Sequence, residues 1–453
     1  MGNKYFGTDG IRDVANAGLL TPSRIVKTAQ SLGRMLREGA TPSAALKVGI
    51  GADTRISGSM ILSALTAGLT ALGVDVVDFG VLPTPALAEL TRKRRLSLGI
   101  MISASHNPMA DNGIKIFQSD GFKLSDVQEE LVERLMESTA VDEDLPTGGR
   151  LGRLCFDGTG FDDYLGSMVD RFGAGQLKGL KVAVDCANGA AWKAAPAILT
   201  RLGAKVQVMA NAPNGININD GCGSVHLEAL QEFVQAEGCD VAVALDGDGD
   251  RSMFVDAAGG EVDGDGFMAF MGPWLKKQGR LAHDTVVTTV MSNIGLEIAL
   301  RREGITMIRT PVGDRHVTEC LRRGGYSLGG EQSGHLIFGS ENSYTGDGIF
   351  SALKLFQALV AAGRPLRELV APMKRFPQVL INVPVKSKPP VEELTAVNSC
   401  VERAEQTLGA EGRVLLRYSG TEKKMRVMTE GPTEELVRSL AETIADAVRA
   451  EIG

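Results

Sequence analysis

Short apolar runs that end in polar, glycine-rich loops recur along the chain, and a helical pattern often follows them. The five clearest runs span residues 46–51, 98–102, 182–184, 241–245 and 285–290. Apolar residues without polar alternation are typical of strands that are covered on both faces. Because these runs alternate with helical patterns, the sequence predicts an α/β architecture.

Two helices are readable from their own residues. Ser125 and Gln128 have the spacing of a capping box, which predicts that a helix begins there. The apolar positions that follow on one helical face are Val127, Leu131, Leu135 and Met136. A second amphipathic helix is predicted near the end of the chain, with apolar positions at Leu436, Leu440, Ile444 and Val448.

The chain of 453 residues is too long for one hydrophobic core, because cores stop growing near roughly 250–300 residues. Polar or glycine-rich stretches at 137–152, 256–260 and 373–377 separate the predicted elements. The sequence therefore predicts four modules, which span residues 1–153, 154–257, 258–374 and 375–453.

Charge and cysteine content exclude several classes of protein. A formal net charge of −7 argues against a broad nucleic-acid-binding surface. The six cysteines form no CxxC pair, which argues against a zinc or redox motif and is typical of a reduced, cytoplasmic protein. The first residues lack the pattern of a secretory signal. The uncharged stretch 56–74 contains several Gly, Ser and Thr, so it predicts a buried helix rather than a membrane span.

The strongest chemical signal is a run of three carboxylates after a buried strand, at Asp246, Asp248 and Asp250. Alternate residues of extended chain point the same way, and the intervening glycines allow convergence on one point. Such close charges repel unless a cation lies among them, and hard oxygen ligands suit Mg²⁺ or Ca²⁺. A calcium-binding EF-hand loop is excluded, because its Gly and Glu positions hold Arg251 and Ala257. The alternative is a solvated acidic turn.

A second signal is residues 103–108, where Ser105 stands beside His106 after another strand. A Ser–His hydrolase is weakly supported, because adjacent side chains of extended chain point apart and no GxSxG elbow is present. A serine near a metal could instead carry a phosphoryl group. Taken alone, this loop is better explained as an ordinary strand-to-turn cap.

Two further loops have polar groups suited to a sugar phosphate. Residues 417–424, with Arg426 beyond, combine hydroxyls, glycine amides and cations into a candidate phosphate cradle, and the alternative is a charged hairpin turn. Residues 329–335 offer polar groups for sugar hydroxyls, and the alternative is a polar loop.

Three isolated cations are also candidates. Lys115 lies in an apolar, strand-like setting that could lower its pKa for proton transfer, although a surface Lys with a buried stem fits as well. Arg12 and Arg55 each follow a polar loop and could contact phosphate.

Together these motifs identify a resemblance to the α-D-phosphohexomutase superfamily, in its bacterial glucosamine branch. The match runs nearly end to end, and the motifs stand in the family's order. Residues 6–12 resemble its opening signature, and residues 103–108 its phosphoserine loop, with Ser105 at the phosphorylated position. The three aspartates match its magnesium loop, residues 330–335 its sugar-specificity loop, and residues 417–422 its phosphate-binding loop.

The resemblance implies an α/β fold of four domains: three similar α/β domains with mixed sheets and a smaller C-terminal α+β domain, around a central cleft. It implies interconversion of glucosamine 6-phosphate and glucosamine 1-phosphate for UDP-N-acetylglucosamine synthesis. The implied cofactors are one Mg²⁺ per chain and glucosamine 1,6-bisphosphate as intermediate and activator. The partner is a small sugar phosphate, without nucleic acid or membrane, and a homodimer is left open. Alternatives are a mannose or glucose phosphate mutase, a metal phosphatase and a non-catalytic sugar-phosphate sensor.

The resemblance also implies residue roles. Ser105 carries the phosphoryl group and joins Asp246, Asp248 and Asp250 at the metal. Arg251 steadies the transferred group, and either Lys115 or His335 exchanges a proton. The implied substrate-binding residues are Arg12, Arg55, Glu331, Ser333, Arg417, Ser419, Gly420, Thr421 and Arg426.

Three positions depart from the family pattern. Tyr418 and Lys423 stand where the phosphate loop usually has Pro, and Asp13 replaces a usual Gly. We expect the first two changes to loosen the phosphate loop and to add one cation.

Overall fold

The structure is a computed structural model that describes residues 4–7, 9–39, 45–138, 145–419 and 422–453. Four sheets organise these residues. The first contains strands β1 (Ile11–Val14), β2 (Lys47–Ala52), β3 (Asp75–Val81), β4 (Leu98–Ile102), β5 (Asp111–Gln118) and β6 (Leu154–Phe156). Its order is β1-β5-β4-β2-β3-β6, in which β5 is antiparallel to both neighbours and the pairs from β4 to β6 are parallel. Its helices are α1 (Pro22–Glu38), α2 (Gly58–Ala71), α3 (Thr84–Lys93) and α4 (Asp126–Glu137).

The second sheet is also mixed. Its elements are α5 (Gly160–Phe172), β7 (Lys181–Asp185), α6 (Ala194–Arg201), β8 (Lys205–Met209), α7 (Glu228–Ala236), β9 (Val241–Leu245), β10 (Ser252–Asp256) and β11 (Glu261–Val262). The strand order is β11-β10-β9-β7-β8. The pairs that involve β10 are antiparallel, and those that involve β7 are parallel.

The third domain repeats this plan with four strands in the order β13-β12-β14-β15, of which only the last pair is antiparallel. Its elements are α8 (Gly264–Lys277), β12 (Thr285–Thr289), α9 (Ile294–Arg302), β13 (Thr306–Thr310), α10 (Asp314–Gly324), β14 (Leu328–Gly330), β15 (Leu336–Ile337), α11 (Gly348–Ala362) and α12 (Leu366–Val370).

The C-terminal domain is smaller and has an antiparallel sheet of order β16-β18-β17. Its elements are β16 (Gln378–Pro384), α13 (Thr395–Leu408), β17 (Arg413–Tyr418), β18 (Lys424–Glu430) and α14 (Glu434–Ile452). The predicted fold class, three mixed α/β domains with a smaller α+β domain, is confirmed.

One predicted helix begins where expected but has a different buried face. Ser125 and Gln128 form the predicted capping box at α4. That helix buries Glu129 and Val132, whereas Val127 is 75% exposed. The predicted face is therefore wrong at its start, because Arg315 of α10 pairs with Glu129 and draws that side of the helix inward. The buried helix expected within 56–74 is confirmed as α2. Among the described residues, no helix is both long and apolar enough to cross a bilayer.

Sheet membership suggests limits that differ slightly from the predicted modules. β6 lies beyond residue 153 yet pairs with β3 of the first sheet. Likewise, β11 lies beyond residue 257 yet pairs with β10 of the second sheet. We therefore propose that the first two domains extend to Phe156 and Val262.

The three α/β domains share one apolar core. It joins Phe79 and Leu87 near the first sheet to Tyr164 of α5 and to Phe350 of α11. Separate apolar clusters lie within the first domain and within the C-terminal domain. A common core holds the three α/β domains together, and the C-terminal domain keeps a core of its own.

Three strands end at one region between the domains. β4 ends immediately before Ser103, β9 immediately before Asp246, and β14 immediately before Glu331. Ligands of open α/β sheets bind outside the carboxyl ends of the strands. The fold thus brings together three loops that are far apart in sequence.

Candidate active site

The loop after β4 holds Ser105 in a left-handed backbone conformation, with φ +54°. Its N–H donates to Ser103 Oγ across 2.9 Å, and Ser103 Oγ donates to Asp53 Oδ2 across 2.6 Å. Ser105 is 1% exposed. A non-glycine residue in this conformation is uncommon and persists only where its surroundings hold it.

This turn also brings neighbouring side chains together. His106 Nδ1 lies 3.3 Å from Ser105 Oγ. The expectation that these side chains point apart is wrong here, because it assumed extended backbone and Ser105 adopts a left-handed turn.

The hydroxyl of Ser105 meets the carboxylate run of the second domain. Its Oγ donates to Asp246 Oδ2, a contact between residues separated by 141 positions. Ligand atoms of Asp246, Asp248 and Asp250 all lie within 4.8 Å of one another, and the three side chains are buried. The serine and the carboxylates, predicted from separate motifs, therefore form one site.

A cavity of about 480 Å³ lies beside these residues. This volume is within the range of small-molecule sites, roughly 300–1,000 Å³. The predicted site residues in its wall are Arg12, Asp250, Arg251, Glu331 and His335, and His106 joins them. Arg251 also donates its N–H to Asp246 Oδ1 across 3.1 Å.

The predicted sugar loop is a tight turn between β14 and β15. The N–H of Glu331 donates to the carbonyl of His335 across 3.0 Å, and Gly334 returns a bond to Glu331. Glu331 Oε1 accepts from the N–H of Gly313 across 3.1 Å. Ser333 at the tip is exposed, so it faces solvent unless a ligand covers it.

The two predicted arginines occupy different places. Arg12 pairs with Asp9 and lies in the cavity wall. Arg55 is fully buried and pairs with Asp53, and its Nη2 donates to the carbonyls of Ser105 and Asn107 across 3.3 and 2.6 Å. The guanidinium of Arg55 therefore holds the serine loop, and its expected contact with substrate phosphate stays a prediction.

The predicted phosphate loop lies apart from the cavity. Arg417 and Arg426 are paired across β17 and β18, and burial together with Arg426 lowers the pKa of Arg417. The hydroxyl of Ser419 accepts from the N–H of Glu422 across 3.3 Å. Gly420 and Thr421 lie outside the described residues. No described residue of this loop lines the 480 Å³ cavity.

Tyr418 tethers this loop at one end. Its hydroxyl donates to the carbonyl of Pro389 across 2.7 Å. Tyr418, which stands where the family usually has Pro, therefore holds the loop by a hydrogen bond.

Four family profiles match successive parts of the chain. They are phosphoglucomutase/phosphomannomutase α/β/α domains I, II and III, at residues 3–142, 162–260 and 263–376, and the C-terminal domain at 380–447. The chain belongs to this family. Among curated proteins, the phosphoglucosamine mutase of Bacillus licheniformis is 48% identical over 450 residues, which cover 99% of both chains. The phosphoglucosamine mutases of Syntrophotalea carbinolica and Bacillus subtilis are 46% and 47% identical, and each alignment covers at least 99% of both chains.

Solved structures show the same fold at low identity. A phosphoglucomutase/phosphomannomutase family protein from Burkholderia thailandensis aligns with a TM-score of 0.82 at 22% identity, over 100% of this chain and 98% of the other. The N-acetylphosphoglucosamine mutase of Aspergillus fumigatus, in complex with GlcNAc-6P and magnesium, aligns with a TM-score of 0.66 at 18% identity, over 99% and 96% of the two chains.

In this phosphohexomutase, the carboxylate trio has the electrostatics of a cation site. Burial, Asp250 and Asp248 raise the pKa of Asp246 well above its ordinary value. One oxygen each of Asp248 and Asp250 is buried without a protein hydrogen-bond donor. Buried carboxylates with unused oxygens fit a hard divalent cation.

Lys115 neutralises part of this charge. Its Nζ lies 2.7 Å from Asp248, 3.0 Å from Asp250 and 3.0 Å from Asp9. Burial lowers the pKa of Lys115, but the three carboxylates outweigh burial and hold it well above the ordinary value. The expectation of a lowered pKa is therefore wrong, because the sequence did not show which carboxylates surround the strand.

Burial and neighbouring carboxylates also act in opposite directions on the pKa of His335. Its ring nitrogens lie 3.6 Å from Asp250 and 3.7 Å from Asp314. Burial lowers its pKa, but Asp250 and the other carboxylates outweigh that effect and raise it to about 9. His106 behaves oppositely: burial, Arg251 and Arg12 lower its pKa to about 4. The site thus places a charged imidazole and a neutral one on the cavity wall.

Three further side chains of the site contact residues that the sequence motifs had singled out. Thr84 donates its hydroxyl to Asp248, Asp9 pairs with Lys115, and Asp314 lies beside His335. Asp9 stands in the opening motif and was available to sequence reasoning. Thr84 and Asp314 stand in ordinary helix starts, so only the packing of separate domains reveals them.

Proposed function

We propose that this protein is a phosphoglucosamine mutase that interconverts glucosamine 6-phosphate and glucosamine 1-phosphate, and thereby supplies UDP-N-acetylglucosamine synthesis. The proposal is supported by relatives of that name that are 46–48% identical over nearly the whole chain. The observation that carries the chemistry is the hydrogen bond from Ser105 Oγ to Asp246, next to His106 and Arg251 in the cavity wall. The free cysteines suit a cytoplasmic location, which we propose as well.

Phosphoryl transfer would begin from phosphorylated Ser105. The bond between phosphorus and Ser105 Oγ breaks, and a bond forms to the free hydroxyl of the bound sugar monophosphate, which gives glucosamine 1,6-bisphosphate. The hydroxyl proton ends on Ser105 Oγ, so neither an acid nor a base is consumed. Lys115 and His335 are the two candidates to carry that proton. After the bisphosphate turns end for end, its other phosphoryl group returns to Ser105.

One Mg²⁺ per chain would be held by Asp246, Asp248, Asp250 and the side chain of Ser105. When bound, the ion supplies positive charge that neutralises the transferred phosphoryl group. Arg251 and Arg12 in the cavity wall add positive charge around the same group. Glu331 and Ser333 would accept or donate hydrogen bonds to sugar hydroxyls in both orientations.

Binding of the phosphate that the substrate already carries requires movement of the C-terminal domain. Arg417, Ser419, Gly420, Thr421 and Arg426 would hold that phosphate, yet none of the described members lines the cavity. We infer that this domain closes on the cleft when substrate binds, about a hinge near residues 373–377.

Phosphorus NMR of purified protein tests the proposal directly. Glucosamine 6-phosphate supplied with Mg²⁺ and glucosamine 1,6-bisphosphate should give glucosamine 1-phosphate, and a chelator should stop the conversion. Glucosamine phosphate should have a higher kcat/KM than glucose or mannose phosphates. Ser105→Ala should remove turnover and the phosphate seen by intact mass. Release of inorganic phosphate without isomer would indicate a phosphatase, and equal turnover by Ser105→Ala would exclude the covalent route.

A further inference from the structure

The loop after β8 contains four asparagines that the proposed mechanism does not use: Asn211, Asn214, Asn217 and Asn219. Asn217 braces the loop internally, because its Oδ1 accepts from the N–H of Asn214 across 3.0 Å and its Nδ2 donates to the carbonyl of Ala212 across 3.1 Å. The same loop contacts the first domain, where the N–H of Ile56 donates to Gly215 across 2.9 Å. It is therefore a formed element at the domain boundary.

Asn219 reaches from this loop to the backbone of the phosphoserine loop. Its Nδ2 donates to the carbonyl of Ser105 across 2.9 Å and to the carbonyl of Asn107 across 3.0 Å. Asn219 is 8% exposed and holds φ +57°, a conformation that Asn tolerates better than most residues. Its own N–H donates to the carbonyl of Ala187 across 3.0 Å, which fixes its backbone.

Arg55 binds the same two carbonyls from the first domain. Its Nη2 lies 2.6 Å from the carbonyl of Asn107 and 3.3 Å from that of Ser105, and Asp53 holds its guanidinium. The two carbonyls thus each accept from one donor of the first domain and one of the second. Gly247 of the carboxylate loop packs closely against the same backbone, because a Cβ added at Gly247 would lie 2.5 Å from the carbonyl oxygen of Ser105.

This arrangement confines a backbone that would otherwise relax. Left-handed backbone is less favourable for a residue such as Ser than right-handed or extended backbone. Relaxation of φ at Ser105 would swing its Oγ away from Asp246. Phosphorylation and dephosphorylation change the charge on Oγ in every cycle, so contacts that hold the backbone independently of the phosphate keep the geometry constant.

We propose that Asn219 is a positioning residue for phosphoryl transfer: together with Arg55 it clamps the carbonyls of Ser105 and Asn107, so that Ser105 Oγ faces the carboxylate trio with or without its phosphate. This inference rests on the proposed function. It assigns to the second domain a contact with the serine loop that is additional to the metal ligands. Asn219 acts through the backbone of Ser105 and touches no substrate.

Two variants separate the hydrogen bonds from the fold. Asn219→Gly removes the amide and suits the left-handed backbone, and Asn219→Asp keeps the shape but turns an acceptor toward two carbonyl oxygens. We expect kcat to fall about 10- to 100-fold in both, more in Asn219→Asp, because small misplacement of a reacting group costs about that much. KM for glucosamine 6-phosphate should stay within about twofold, since Glu331 and Arg417 are unchanged. The matched control is Asp220→Asn, an exposed neighbour in the same loop.

The measurements are steady-state kinetics, the thermal unfolding midpoint and intact mass of the phosphoenzyme. A fall in kcat at unchanged KM, with an unfolding midpoint near that of the control, supports the clamp. A wild-type kcat in Asn219→Asp would overturn the clamp. A fall in kcat that is accompanied by a higher KM and a lower unfolding midpoint would overturn it as well. If wild-type protein itself shows no mutase turnover, the proposed function fails instead, and the two failures are distinguished.

Discussion

Lys115 Nζ lies 2.7 Å from Asp248 Oδ2, so a cation of the first domain's sheet is placed against the carboxylate trio of the second. The same nitrogen lies 3.0 Å from Asp250. Both partners are buried, and low-dielectric surroundings make this interaction strong and its disruption costly. The contact links catalytic geometry to the docking of two domains.

Replacement of Lys115 by an uncharged residue should make the free energy of unfolding depend on bound metal. Lys115→Met leaves Asp248 and Asp250 without their cation, and loss of one partner of a buried pair costs about 3–5 kcal/mol. We expect that loss in urea unfolding with a chelator, and partial recovery when Mg²⁺ is added, since the metal supplies the missing charge. Lys4→Met is the control, because its ion pair with Glu137 is on the surface. Equal losses in the two variants would contradict the prediction.

Arg417 should govern substrate affinity more than turnover. It faces Arg426 across the C-terminal sheet, and two adjacent cations favour a bound anion. Arg417→Gln should raise KM for glucosamine 6-phosphate about tenfold, which corresponds to one charge-assisted hydrogen bond of about 1.5 kcal/mol. Arg438→Gln, which removes only an exposed helix pair, should leave KM unchanged. An unchanged KM in Arg417→Gln would show that this loop does not bind the phosphate.

A buried carboxylate joins the third and C-terminal domains. Glu430 accepts from the N–H of Ile294 across 3.1 Å and from Asn293 Nδ2 across 3.3 Å, and it pairs with Arg413. Glu430→Gln removes the charge opposite Arg413, which should lower the free energy of unfolding by about 1–3 kcal/mol in urea. Glu434→Gln on the exposed start of α14 is the control, with a change within about 0.5 kcal/mol. A similar stability for both variants would refute the role of this junction.

Asp347 should make stability fall as pH rises. Burial raises its pKa to about 7, against the lowering effect of the Phe350 N–H and the Tyr164 hydroxyl. In the unfolded chain the pKa is about 3.9, so the folded state binds more protons between about pH 4 and 7, and stability decreases through that window. Asp347→Asn keeps an acceptor for the helix start and cannot ionise. Its unfolding free energy should therefore fall less than that of wild type between pH 5 and 7, and parallel curves would contradict the assignment.

Local sequence was sufficient to predict much of the chemistry. The apolar run before Asp246 predicted a buried strand with a loop at its carboxyl end, and β9 ends at Leu245. Ser125 and Gln128 predicted the start of α4, because a capping box depends only on residues three positions apart. These predictions succeed where the interaction lies within a few neighbouring residues.

Other features depended on tertiary packing. The left-handed turn at Ser105 brings His106 to its hydroxyl, although residue type alone favours extended backbone there. Arg55 has the charge of a phosphate ligand, yet Asp53 and the serine loop enclose it.

The amino-acid sequence by itself therefore determined which groups are available for catalysis and which strands present them. Only the tertiary structure decided their neighbours, and through them their charge and orientation. Lys115 shows the physical reason: its pKa rises because carboxylates from the second domain surround it, and no pattern within its own strand encodes that encounter. The contact between Ser105 and Asp246 likewise depends on the packing of two sheets that the chain connects across 141 positions.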